Sequence, residues 1–187
     1  MEILDLRSLD ERHQQQAAHL LVIGFRELCP NAWPTIDHAL EEVQSALNQE
    51  KICRAAVSKN DEVIGWIGGI PEYSGNAWEL HPLIVNPEYQ NHGIGTLLVR
   101  DLEEQVRRAG AITIFLGTDD ESNMTSLAGI DLYPDVVDHI AQMKNVRHHP
   151  YEFYQKLGYT VVGIIPDANG FGKPDIIMAK RIRNDAE

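Results

Sequence analysis

The sequence predicts an α/β fold, a mixed sheet with helices on both faces, in a single domain spanning residues 1–187. Three observations carry this expectation. Helical and β-rich apolar segments succeed one another in the order α, α, β, β, β, α, β, α, α, β, β, for which a layered sheet is the natural architecture. A length of 187 residues is within the range of one domain and large enough to bury a sizeable core. Hydrophobic residues at 43% and charged residues at 24% are ordinary globular usage, which excludes disordered and fibrous classes.

Taken in order, Glu11 to Leu28 places Leu21, Phe25 and Leu28 at helical spacing. A loop bracketed by Pro30 and Pro34 leads to a second helix with Ile36, Leu40, Val43 and Leu47 on one face. Cys53 to Ser58 and Val63 to Ile70 read as a hairpin joined through Asn60 and Asp61. Gly65, Gly68 and Gly69 in its second arm point to a bulge or to close approach by other groups. Trp78 to Val85 is a third strand, and Pro82 must break its ladder because proline has no N–H to donate. The helix Ile94 to Ala109 aligns Ile94, Leu97, Leu98, Leu102 and Val106 and ends near Gly110. A buried strand, Ala111 to Leu116, runs into the polar turn Gly117 to Glu121. Residues 122–149 look like an insertion holding a helix between Pro134 and Lys144. Tyr151 to Leu157 is a short helix stopped by Gly158, and Tyr159 to Ile165 and Ile176 to Ile182 are strands separated by the turn-forming Asp167 to Gly170.

The segment from Leu80 to Thr96 carries the most chemistry. An apolar strand runs into Gln90, Asn91, His92, Gly93, Ile94, Gly95 and Thr96, and a helix begins at once. Unpaired N–H groups at the positive end of a helix dipole bind a pyrophosphate through the main chain, and glycines at 93 and 95 let that backbone approach closely. Two familiar phosphate loops fail here. A nucleoside-triphosphate loop needs lysine where Gly95 stands, and a dinucleotide loop needs a third glycine where Leu98 stands. A plain tight turn is the competing reading.

A net charge of −12 argues against nucleic acid as a partner and favours a cationic small molecule. Cys29 and Cys53 belong to no CxxC pair and read as reduced thiols. There is no apolar run long enough to span a membrane, and the first residues lack a basic, apolar leader, so the expected compartment is the cytoplasm. The adjacent His148 and His149 lack metal-ligand spacing, and no metal is expected. Ser126 and Cys53 have no evident base partner for nucleophilic catalysis.

The pattern Gln90-x-x-Gly93-x-Gly95 behind the strand Leu80 to Val85, with Glu152 to Tyr159 about 60 residues on, resembles the GNAT N-acetyltransferases. Trp78 to Leu83, Leu116 to Asp120, His149 to Tyr154 and Pro174 to Ile176 are similar to the matching segments of chromosomally encoded aminoglycoside 6′-N-acetyltransferases. The likeness runs from about Gln44 to Ile182 and is weakest before Trp33 and over Glu121 to Ser126. It implies a mostly antiparallel sheet splayed around Pro82, a homodimer, and direct transfer of acetyl from acetyl-CoA to a primary amine in a ternary complex.

Site roles follow from the same resemblance. Glu79 would be the base, directly or through water, with a solvated residue or an electrostatic anchor as the alternative. His81, two residues on and on the same strand face, is a second catalytic candidate or a structural histidine. Leu83, Ile84 and Val85 would bind the pantetheine arm, with the Leu83 N–H as oxyanion donor, and residues 90–96 would hold the pyrophosphate. Tyr154 would protonate the leaving thiolate and touch the cofactor, against a core tyrosine as the alternative. Asp119 and Asp120, with Glu79, would bind acceptor ammonium groups, and Trp33 and Tyr73 would pack on sugar rings. Asp131, Asp135 and Asp138 add acidity in the insertion. Another amine acceptor, or a coenzyme A-binding module without turnover, are the other functional readings.

Overall fold

The structure, a computed structural model, describes residues 1–27 and 29–183. Leu28, expected on the first helix, and residues 184–187 of the expected domain lie outside the described residues. The chain forms two compact units, one made of Met1–Ile114 and the residues from Arg181, the other of Phe115–Lys180. Among the described residues it has seven strands and five α-helices.

In the first unit the elements are β1 (Glu2–Asp5), α1 (Glu11–Phe25), α2 (Ile36–Ala46), β2 (Ile52–Val57), β3 (Val63–Glu72), β4 (Ala77–Val85) and α3 (Ile94–Arg108). The strands lie in the order β1-β2-β3-β4, and each neighbouring pair is antiparallel. Four residues are too few to show a strand period, which is why β1 has no signature in the sequence. Asp10 and Thr35 start the two opening helices. The Asp10 carboxylate accepts the His13 N–H at 3.1 Å, and the Thr35 hydroxyl accepts the His38 N–H at 3.4 Å.

Helices cover both faces of β3. On one face the Trp66 indole donates to the Ala17 carbonyl of α1 at 3.0 Å. On the other, a Cβ placed on Gly65 would meet Leu98 of α3 at 3.3 Å, and one on Gly69 would meet Leu102 at 2.8 Å. The strand glycines thus make room for α3 and for the backbone of β4.

Two helix faces differ from expectation. On α2 the inward row is Ala39, Val43 and Ala46, and Ile36 is exposed. Alanine at two of these three positions lets α2 lie close on α1, where Gln44 bonds Gln14 at 3.2 Å. On α3 the buried row is Ile94, Leu98, Val99, Leu102 and Val106, and Leu97 falls outside it.

The second unit holds most of β5 (Thr113–Asp119), with α4 (Val136–Ala141), α5 (Tyr151–Lys156), β6 (Thr160–Ile165) and most of β7 (Asp175–Arg181). Its strand order is β5-β7-β6, with β6 and β7 antiparallel. Gly117, Thr118 and Asp119, expected in a turn, continue β5. A Cβ on Gly117 would meet the Asp175 carboxylate of β7 at 2.5 Å. The expected helix of the insertion is only six residues long, and the rest is tied by loop contacts such as the Thr125–Asn145 bridge. Among the described residues no helix is long and apolar enough to cross a membrane.

Candidate functional site

The break at Pro82 is a β-bulge. Leu83 faces Ile67 and Leu80 faces Gly69, so His81 and Pro82 together oppose the single residue Gly68. Only glycine fits there, because a Cβ would collide with the His81 carbonyl oxygen and lie 3.1 Å from its carbon. The ladder resumes beyond the bulge, where the Asn86 N–H donates to the Ile64 carbonyl at 2.9 Å. Backbone polar groups alternate in direction along a strand, so the Leu83 and Val85 main chains face away from β3. The Val85 carbonyl accepts instead from the Gln90 side-chain amide at 3.2 Å. The Leu83 main chain thus points to the side away from β3, while the Ile84 side chain turns into the core.

The loop after β4 is held open by its own bonds. Asn86 accepts the Glu88 N–H at 3.0 Å, and the His92 Nδ1–H donates to the Gln90 carbonyl at 2.8 Å. Asn91 and Gly93 turn the chain through the left-handed region, with φ of 62° and 82°. Open space surrounds the Gly93 Cβ position, so its glycine is required by conformation and not by contact. Gly95 already lies inside α3. No side chain caps α3, which leaves the N–H groups of its first turn, at Ile94, Gly95 and Thr96, directed outward at the positive end of the helix. An anionic diphosphate suits this cradle.

Exposure alternates along β4, but the bulge changes the face it falls on: Glu79 and His81 lie on the side of α1 and α2, whereas Leu83 and Val85, opposite Ile67 and Gly65, lie on the side of α3. Trp33, from the segment between α1 and α2, stands 5.9 Å from the His81 ring and 4.7 Å from that of Phe25. Glu42 of α2 approaches His81, with Oε1 4.0 Å from Nε2. The first unit thus gathers Glu79, His81 and Trp33 and adds Glu42, which sequence reasoning missed. Tyr73 stands at the tip of the β3–β4 hairpin, 76% exposed, and joins none of the aromatic pairs among the described residues.

In the second unit Asp119 is exposed at the end of β5, where its carboxylate accepts from the Asn169 amide. Asp120 does not serve as an acceptor contact. It is 1% exposed, and its two oxygens accept the Met124 and Thr125 N–H groups at 2.7 Å each. Two donated amides and full burial make it a staple of the loop.

His149, also 1% exposed, is a second staple. Its Nε2–H donates to the Asp119 carbonyl at 3.0 Å and its Nδ1 accepts the Tyr151 N–H at 3.2 Å, an arrangement that needs the neutral ring. Burial pushes its pKa down, in agreement. The sequence shows this residue as one of an adjacent histidine pair before Pro150, with no sign of these partners. Tyr154 on α5 is buried between the rings of Phe153 and Tyr159, at 5.0 and 5.7 Å. Burial pushes its phenol up, so it keeps its proton at neutral pH.

Asp131, Asp135 and Asp138 are exposed on the insertion. Burial pushes the Cys53 thiol up to about 12, which removes it as a nucleophile. Among the described residues no group of three or more His, Cys, Asp and Glu side chains could hold a metal ion.

Residues 16–133 match the model of the acetyltransferase (GNAT) family. The chain belongs to this family. The GNAT match crosses from the first unit into the second. Among solved structures, an aminoglycoside 6′-N-acetyltransferase complexed with coenzyme A is 43% identical over the full length of both chains, with a TM-score of 0.90. The aminoglycoside 6′-N-acetyltransferase from Enterococcus faecium is 43% identical, again over both full lengths, with a TM-score of 0.85. An aminoglycoside 6′-acetyltransferase type Ii is 38% identical over 98% of this chain and 99% of its own, with a TM-score of 0.75. No curated protein sequence matches this GNAT chain.

Proposed function

We propose that this GNAT enzyme transfers the acetyl group of acetyl-CoA to the 6′-amine of an aminoglycoside. The observation that carries the reading is the full-length likeness to an aminoglycoside 6′-N-acetyltransferase complexed with coenzyme A. The uncapped start of α3 and the outward-facing main chain of Leu83 and Val85 support acetyl-CoA as donor.

In this reading the amine nitrogen attacks the thioester carbonyl, the C–N bond forms, and the C–S bond breaks. Glu79 takes the proton from the acceptor ammonium, directly or through water. The Leu83 N–H donates to the developing oxyanion, and Tyr154 supplies the proton that the departing thiolate needs. His81 and Trp33 line the acceptor side of β4, and Asp119 contributes negative charge for a polycationic acceptor. Tyr73, exposed at the hairpin tip, packs on a sugar ring of the acceptor.

A single catalytic domain, residues 1–187, remains our reading, supported by a family match over residues 16–133 that includes parts of both units. We place the enzyme in the cytoplasm, where acetylation would remove a cationic amine from the drug and confer resistance. Val162 and Ile165, exposed apolar residues on the outermost strand β6, support a homodimer with a second copy seated there. Sedimentation would then give twice the chain mass.

The decisive test of function is product identification. With acetyl-CoA and tobramycin or kanamycin the enzyme should yield a singly acetylated drug whose amide lies at the 6′ nitrogen by NMR. Acetylation of polyamines or peptide amines but of neither drug would refute the acceptor assignment and leave the acetyltransferase.

A further inference from the structure

We propose that Glu42 is a positioning residue for acceptor binding and acts through His81. Glu41 and Glu42 are adjacent on α2, but the helix turns them differently. Glu41 is exposed, whereas the Glu42 side chain is 23% exposed and faces β4. Its Oε1 lies 4.0 Å from Nε2 of His81, whose own side chain is 41% exposed. The ring of Trp33 stands 5.9 Å from the same imidazole.

His81 is therefore restrained from three directions. The bulge opposite Gly68 fixes its backbone, Trp33 approaches its ring, and Glu42 supplies the charged partner. Glu79 shares the face two residues earlier, so the wall carries carboxylate, imidazole and carboxylate in succession. Whenever the imidazole holds a proton, Glu42 offsets its charge, and the face stays attractive to an ammonium group arriving at Glu79. Loss of that carboxylate frees the ring and removes negative charge from the face that the incoming amine meets.

The inference rests on the proposed reading that an amine acceptor meets the Glu79 face. Its test is a double-mutant cycle of Glu42→Gln and His81→Ala, with Glu41→Gln as the control on the exposed side of α2. Glu42→Gln should raise the acceptor KM about three- to fivefold, as for a partly exposed ion pair, and leave the acetyl-CoA KM unchanged. In the His81→Ala background it should add nothing, because its partner is gone. The NMR signals of the His81 imidazole should move in Glu42→Gln and stay in place in Glu41→Gln.

Additive effects in the double mutant would overturn the inference, as would equal losses toward both substrates or an unmoved imidazole signal. The imidazole signal does not depend on turnover. If the wild type acetylated no aminoglycoside while Glu42→Gln still shifted that signal and raised KM for another amine, the substrate assignment would fail and Glu42 would keep its role.

Discussion

Gly68→Ala tests the geometry on which the candidate site is built. The added Cβ would collide with the His81 carbonyl oxygen and stand 3.1 Å from the carbonyl carbon, and both atoms are backbone held by the bulge. Overpacking a core typically costs about 1–3 kcal/mol, and a clash against main chain belongs at the top of that range. With a urea dependence of about 2 kcal/mol per molar, a loss of about 3 kcal/mol lowers the unfolding midpoint by about 1.5 M. The same clash displaces His81, disturbs the face it shares with Glu79 and shifts the strand that leads on to Leu83, so acetyl transfer should fall as well. Urea unfolding followed by circular dichroism, with thiol release on the same samples, reads both effects. Gly163→Ala is the control. Nothing lies within 4 Å of its Cβ position, and its φ is not in the left-handed region. It should be neutral or stabilising by about 0.4–1 kcal/mol. A Gly68→Ala protein with the wild-type midpoint and wild-type turnover would refute the reasoning.

Three further outcomes are expected. Gly93→Ala forces a side chain into φ of 82° at the mouth of the cradle, at a cost of about 1–2 kcal/mol, and should raise the acetyl-CoA KM while leaving the acceptor KM unchanged in steady-state kinetics. Burial holds the His149 imidazole below its ordinary value, so below about pH 6.5 the unfolded chain binds more protons there than the folded one; the stability present above that pH is lost as pH falls toward the folded value. Urea midpoints from pH 7 to pH 5 should fall less steeply in His149→Gln than in the wild type, and an equal slope would contradict the neutral ring. Tyr154→Phe keeps the aromatic packing and removes the proton, so kcat should drop about tenfold or more in single-turnover and steady-state assays with stability little changed.

What the sequence made legible was whatever leaves a local pattern. The turn from Gln90 to Gly95 and the proline in β4 announced the cradle and the ladder break, because glycine admits backbone conformations other residues resist and proline removes an N–H wherever it stands. Helix faces were less legible. Ile36 and Leu97 fit an apolar period and yet point outward; on α2 the small side chains of Ala39 and Ala46 decide which side packs on α1, and on α3 Val99 takes the inward place beside Leu98. Asp119 and Asp120 look alike in the sequence, but the backbone amides of Met124 and Thr125 claim only the second. The contacts of Glu42 and His149 left no mark because their partners lie 39 residues away at His81 and 30 residues away at Asp119. Contacts of that kind leave no spacing to read.

The most direct test of the central claim is the rate of thiol release from acetyl-CoA with kanamycin or tobramycin, measured for the wild type and for Glu79→Ala. With Glu79 as base, wild-type release is steady and drug-dependent, and the variant loses about a hundredfold or more in kcat/KM for the drug. Undiminished drug-dependent release by Glu79→Ala would contradict the account.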